Sequence, residues 1–184
     1  MVQSTQRRLL RVDLTTGEIA REMIAEEDVT MFLGGRVLGN IYLYREVIQG
    51  IDPLSPDNKI IFGTGPLTGT SAPGSSRYII HSKSPQTGLY MNSLAGGYFG
   101  PELRKSGFDM VIVEGKAEKP VYLSISNDNV EIKDAGLIWG MNTQDTQQFI
   151  KSDLRDDRVR IACIGPAGEL SSAGGGGPPG HHRR

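Results

Sequence analysis

Residues 62–78, FGTGPLTGTSAPGSSRY, limit the fold of this chain more than any other stretch. They place four glycines and two prolines in seventeen positions, then close on Arg77 and a β-prone run. A loop so poor in side chains cannot fill a core. It either turns the chain or leaves bare backbone for something broad to lie against. The habit recurs at Gly34-Gly35, at Gly96, Gly97 and Gly100, and from Gly165 to Gly180, so that 24 of 184 residues are glycine. Glycine loses more backbone entropy on folding than any other residue, and such clusters therefore mark tight turns or close backbone approach.

Between these loops the sequence reads as short strands joined mainly by turns. RLLRVDLTTGEIAREM (8–23) predicts a β-hairpin turning at Thr15-Thr16-Gly17. AEEDVTMFLGG predicts a short helix with acids in its first turn and Gly34 at its C-cap. In RVLGNIYLYREVI, residues Val37, Leu38, Ile41, Tyr42 and Val47 mark a half-buried helix. Strands are expected at Lys59–Gly63, Arg77–Ser82 and in LYMNS, and a helix starts at Gly100-Pro101-Glu102, with the proline in first position. DMVIVEG (109–115) is a continuous apolar run, the mark of a strand buried on both faces. VYLSIS and VEIKD form a second hairpin, TQDTQQFIKSDLR (143–155) a helix capped by Thr143, and RVRIACIG (158–165) a last buried strand.

Hairpins outnumber crossovers in this pattern, which predicts an α+β domain with largely antiparallel sheet over residues 1–170. Residues 171–184, SSAGGGGPPGHHRR, form a disordered Gly/Pro-rich tail by composition. The abrupt change there reads as an artificial junction or a frame-shifted end.

Composition removes several function classes. A net charge of −1 leaves no electrostatic footprint for nucleic acid or an anionic membrane. No apolar run approaches the roughly 18 residues of a membrane span, and the basic N-terminus lacks the apolar segment of a secretory signal. The single cysteine, Cys163, excludes an internal disulfide and points to a reducing cytoplasm.

Few residue types here carry chemistry. Neither glycine-rich segment has the lysine of a phosphate loop or the spacing of a dinucleotide fold. Any one of them alone reads as a turn. Two within 35 residues, the first ending in an arginine able to grip an anion with two donors, favour a flat ligand-facing surface. Arg77 alone reads as a solvated or carboxylate-paired residue at a strand start, and His81, mid-strand, as structural. Cys163 reads as inert in a buried strand, and one thiolate cannot hold an iron–sulfur cluster, which needs about four ligands. Glu102 and Glu114 stand as isolated carboxylates, Trp139 as a packing residue, and His181-His182 as part of the tail. A binding surface without a catalytic constellation is what these residue types describe.

The order of the segments resembles a known family. RVDLTTGEI, FLGGRVLG, DPLSPDNKIIFGTGPLTGTSAPGSSRY, SKSPQTG, AGGYFGPELRKSGFDMVIVEGKAEKPVYLSI, VEIKDAGLIWG and IGPAGE run, over about residues 8–169, in the order of the tungsten-dependent aldehyde ferredoxin oxidoreductases. Only that family's N-terminal domain is matched. The resemblance implies a base of two related halves, each built on a β-sheet, beneath a tungsten (or molybdenum) bis-pyranopterin held through backbone, small residues and positive charge. Arg77 matches the family's pterin-contacting arginine, Gly96 a glycine at the cofactor, and Gly97 the second of the pair. Where the family commonly has asparagine, this chain has Leu94, with Asn92 and Ser93 close by.

For the complete enzyme the resemblance implies oxidation of a small aldehyde to a carboxylic acid. Electrons would leave through a 4Fe-4S cluster to ferredoxin, the cluster's ligands being absent from this chain. The isolated chain is therefore expected to be inactive, and to associate with the remaining enzyme domains or with a second copy. The rival reading is a stand-alone pterin-binding module, or a small subunit that completes its site with a partner chain.

Overall fold

The computed structural model describes residues 7–172, so the tail expected at 171–184 lies, from residue 173 onward, outside the described residues. Strands β1 (Arg8–Asp13) and β2 (Ile19–Met23) form the first hairpin. Its turn closes on Gly17 at φ +75° and on the Asp13 carboxylate, which accepts from the Thr15 amide at 2.7 Å. Helices α1 (Glu26–Phe32) and α2 (Gly35–Glu46) follow, then strands β3 (Ile60–Thr64), β4 (Tyr78–Lys83) and β5 (Tyr90–Ala95). Helix α3 (Phe99–Lys105), strand β6 (Met110–Glu114), the hairpin β7 (Val121–Ser126) and β8 (Asn129–Asp134), and helices α4 (Thr143–Leu154) and α5 (Pro166–Ser172) complete the described residues.

Six strands make one sheet in the order β2-β1-β6-β3-β4-β5, and β7 and β8 make a second. Only the β1–β6 pair is parallel; every other pairing is antiparallel, which is the α+β architecture expected. β6 lies between β1 and β3 with Met110, Val111 and Ile112 buried, as an apolar run shared by two faces requires. Alternation along the strands sorts the core. Leu9, Ile61, Met110 and Ile112 face α1 and α2, where Leu38 and Leu43 meet them. Leu10, Val12 and Val111 face α3 and the second hairpin, against Leu103, Phe108 and Val130. A third cluster, Ala135, Ile138 and Ile150, packs α4 against the turn after β8. Each Leu, Ile, Val, Phe or Met side chain so buried contributes about 1.5–3 kcal/mol of transfer free energy.

Several expectations are corrected. Residues 158–165 form no strand: their exposure alternates, but β7 and β8 pair only with each other and offer 158–165 no ladder partner. Cys163 is accordingly half-buried, its thiol pushed up by that burial, with Sγ 3.9 Å from the Thr143 carbonyl. Helix α4 is capped by Asn142, not Thr143; the Asn142 side chain accepts from the amides of Gln144 (3.0 Å) and Asp145 (2.9 Å). Leu33, not Gly34, is the C-cap of α1, at φ 61° and ψ −47°. Val37 faces solvent, and Gly35 and Gly39 take its place on the buried side of α2. Pro101 is the third helical residue of α3 rather than the first.

Nor are the two carboxylates isolated. Glu102 pairs with Lys105 at 2.9 Å. Glu114 joins Arg11, Glu22, Glu46 and Lys59 in a half-buried charge network. The hydrogen bond that Arg11 donates to Glu46 is the largest of the effects that raise its pKa above the ordinary value, so this cation is charged at every working pH.

Candidate functional site

Antiparallel register brings the glycine-rich segments to one end of the large sheet. Thr64, the last residue of β3, lies opposite Tyr78, the first of β4, and Tyr78 lies opposite Ala95, the last of β5. The loops 65–77 and 96–98 therefore leave the sheet side by side. The N-terminus of α2 is bedded on the same end. A Cβ added at Gly63 would meet the Gly35 carbonyl at 3.2 Å, and one at Gly34 would meet Thr64 O at 3.2 Å.

The loop 65–77 is tied to itself. Thr68 Oγ1 accepts from the Gly65 amide and donates to the Arg77 carbonyl, both at 3.0 Å, while the Gly69 amide donates to Ser75 O at 2.9 Å. Thr68 is buried, and its hydroxyl does inside the loop what a ladder bond does inside a sheet.

The glycines here answer to two different demands. Some are spacers. Gly69 packs on Pro101, and a Cβ at Gly100 would meet Ser76 O at 3.1 Å and Tyr78 Cβ at 3.3 Å. Gly96 and Gly97 are the opposite case. At Gly97 the backbone itself calls for glycine, at φ +88°, and a Cβ there would meet nothing within 4 Å; one at Gly96 would meet only Ser76 Oγ at 4.0 Å. No packing among the described residues requires glycine at residue 96; bare backbone faces open space.

Arg77 stands beside this opening. Its main chain is fixed by Thr68 and, through Gly100, by the start of α3, while its side chain is exposed and meets no carboxylate among the described residues. The structure thus brings together Arg77, Gly96 and Gly97. It also adds residues that the sequence did not single out. Arg36, exposed in the first turn of α2, sits close enough to act on His81 and Tyr90, and Arg160 lies over the Tyr98 ring. Arg36 follows a double glycine and could have been flagged on that ground; nothing local marks Arg160.

Beneath the loops lies a buried excess of positive charge. Arg104 and Arg7 both converge on Asp109, the second at 3.9 Å. The Asp109 carboxylate also accepts from the Arg8 amide at 3.0 Å, and its carbonyl holds both the amide (2.9 Å) and the hydroxyl (2.8 Å) of Thr64. Burial lowers the pKa of both arginines below the ordinary value, and Arg7 adds to the effect on Arg104. Two guanidiniums against one carboxylate leave this floor positive.

Leu94 sits on β5 with 40 % of its surface exposed, opposite Ile79. Asn92 shares its face two residues earlier, about 7 Å back along the strand, while Ser93 points to the other face. His81 is fully buried and structural: Nδ1 is 2.9 Å from the Tyr90 hydroxyl, and burial pushes its pKa down to about 4. Among the described residues, no group of three or more His, Cys, Asp or Glu is arranged to hold a metal, and no helix is long and apolar enough to cross a membrane.

Residues 9–176 match the family model described as aldehyde ferredoxin oxidoreductase, N-terminal domain. The chain belongs to that family. It is 49 % identical over 162 residues to the tungsten-containing aldehyde ferredoxin oxidoreductase of Pyrococcus horikoshii, which covers 88 % of this chain and 27 % of that protein. The aliphatic sulfonate oxidoreductase, WOR-like subunit, of Pyrococcus furiosus is 37 % identical over 153 residues, covering 82 % of this chain and 24 % of its own length. The family fold is found in the active site complex BamBC of benzoyl coenzyme A reductase, solved with 1,5-dienoyl-CoA. That structure superposes with a TM-score of 0.86 at 41 % identity, covering 88 % of this chain and 25 % of the other. The chain thus spans about a quarter of the length of the family members it matches.

Proposed function

We propose that this chain is the cofactor-binding part of an oxidoreductase that converts aldehydes to carboxylic acids with ferredoxin as electron acceptor. In this reading Arg77, Gly96 and Gly97 receive a tungsten or molybdenum bis-pyranopterin. One observation carries it: Gly96 and Gly97 face open space, beside an arginine that lacks a partner among the described residues. A broad tricyclic ligand needs backbone free of Cβ atoms, and its phosphate groups need a cation.

When bound, the cofactor supplies the two-electron redox chemistry at its metal. The chain's own residues bind and orient. Gly96 and Gly97 let the main chain approach a flat ligand, and Arg77 presents a planar fork of donors suited to phosphate. The buried Arg7, Asp109 and Arg104 floor adds a fixed positive field below. Leu94 offers no polar side chain where the family commonly has asparagine, and Asn92 is too far back along β5 to replace it, which leaves Ser93 and the backbone of this edge strand as the polar groups nearby.

The 4Fe-4S cluster, the substrate cavity and the ferredoxin contact belong to the three quarters of the family length that this chain does not span. A reducing cytoplasm suits a protein with one thiol. The second reading, a module or small subunit completed by a partner, is favoured by exposed apolar side chains such as Tyr44 and Ile48 on and just beyond α2.

Metal and pterin analysis of the purified chain tests both readings. Tungsten and pterin that remain with the 184-residue chain, and are lost in Arg77→Gln and Gly96→Val, favour a module. Loading only in the presence of the remaining family domains, with the same loss in both variants, favours an enzyme part. Loading unchanged by either substitution removes the assignment.

A further inference from the structure

We infer that Arg160, seated on the ring of Tyr98, is an anion-binding residue of this same face, taking a phosphate group of the ligand alongside Arg77. The inference rests on the reading that the face accepts a phosphate-bearing pterin, and deepens it.

Tyr98 directly follows Gly97, stands at the N-cap of α3 and is 69 % exposed. Over that ring, 4.7 Å from its centroid, lies the guanidinium carbon of Arg160. The two residues come from distant parts of the chain. They meet because 158–165, paired in no sheet, runs back past the end of the large one. An aromatic platform takes up the face of a guanidinium and leaves its N–H edge available, which is how an arginine is oriented without being neutralised.

Three other arginines are employed differently. Arg158 is closed on Asp156 at 3.0 and 3.2 Å, Arg45 on Asp28 at 2.7 and 3.0 Å, and Arg11 on Glu22 and Glu46. Arg160 has no carboxylate partner among the described residues and is seated on Tyr98, the residue that follows the open glycines. An arginine placed only for packing would gain from a carboxylate as well as a ring, as Arg45 does with Asp28 and Phe32. What Arg160 has instead is a fixed position and an open side.

The test is calorimetric titration of the full chain at low salt with two probes, a pterin monophosphate and inorganic pyrophosphate. Arg160→Gln is expected to weaken both about tenfold or more, the loss of one charge-assisted contact. Tyr98→Ala should do the same, Tyr98→Phe should bind as the parent, and Arg155→Gln, at the far end of α4, should change nothing. Circular dichroism melts show whether each variant is folded, and only folded variants are compared.

Arg160→Gln that binds both probes as the parent does, while Arg77→Gln weakens them, overturns the role of Arg160 and leaves the face intact. A parent chain that binds pyrophosphate but not the pterin has a free-phosphate site, and the inference fails. A parent that binds neither probe removes the underlying reading as well.

Discussion

The Cβ that Gly39 lacks would stand 2.4 Å from Nε2 of His81 and 2.5 Å from its Cδ2. Helix α2 is thus seated on β4 through a glycine and a buried ring, and this seating brings the N-terminus of α2 against Gly63 and Gly65. Alanine at residue 39 would gain about 1 kcal/mol of helix propensity but would drive a methyl group into a ring that cannot retreat, costing about 1–3 kcal/mol. The clash wins. Gly39→Ala is expected to lower stability in urea melts, and in a His81→Ala background the same substitution should stabilise. A gain from Gly39→Ala with His81 present would show that the contact is looser than described.

His81 also sets a pH dependence. Burial holds its pKa at about 4, against an ordinary 6.5, partly opposed by the Gly35 backbone and assisted by the charge of Arg36. The folded-state pKa lies below the unfolded one, so the unfolded chain takes up a proton that the folded chain refuses. Stability from this group is full above pH 6.5 and falls as the pH drops toward 4, by roughly 3 kcal/mol in all. Chemical denaturation between pH 7 and 4.5 checks it: the parent should lose stability across that window, and His81→Gln should show a flatter profile. Equal slopes would assign the loss to carboxylates.

Gly96 and Gly100 differ in kind, and one substitution separates them. Gly96→Ala adds a methyl group to open space, and its stability should stay within about 0.5 kcal/mol of the parent. Gly100→Ala must push on Ser76 O and Tyr78 Cβ, and should cost about 1–3 kcal/mol. Thermal melts of the two variants decide the matter. Equal costs would mean that both glycines serve packing.

Asp109 is the one carboxylate between Arg7 and Arg104. Asp109→Asn leaves two buried guanidiniums without their counter-charge, and roughly 3–5 kcal/mol of stability should be lost. A cost below about 1 kcal/mol would show that solvent already reaches both cations.

Local pattern revealed much of this fold. The hairpin at residues 8–23 and the strand in DMVIVEG were legible because a turn glycine and a two-face apolar run each have one structural meaning. Residues 158–165 show the limit. Alternation marks which side of a segment is covered, whereas a strand needs a partner edge, and that edge is a property of the whole chain. The cap of α4 fell one residue from the expected one because Asn142 and Thr143 are both capable and only geometry chooses. The proposed site is a different matter. Arg77 and the glycine pair were proposed from composition and resemblance, whereas the approach of Arg160 to Tyr98 depends on the path of the folded backbone and has no local signal.

Anomalous diffraction at the tungsten edge, from crystals of the chain loaded with tungstopterin, tests the account most directly. Tungsten density is predicted against the open backbone of Gly96 and Gly97, with the Arg77 guanidinium turned toward the ligand. Tungsten seated on any other surface, with those two glycines still facing solvent, would contradict it.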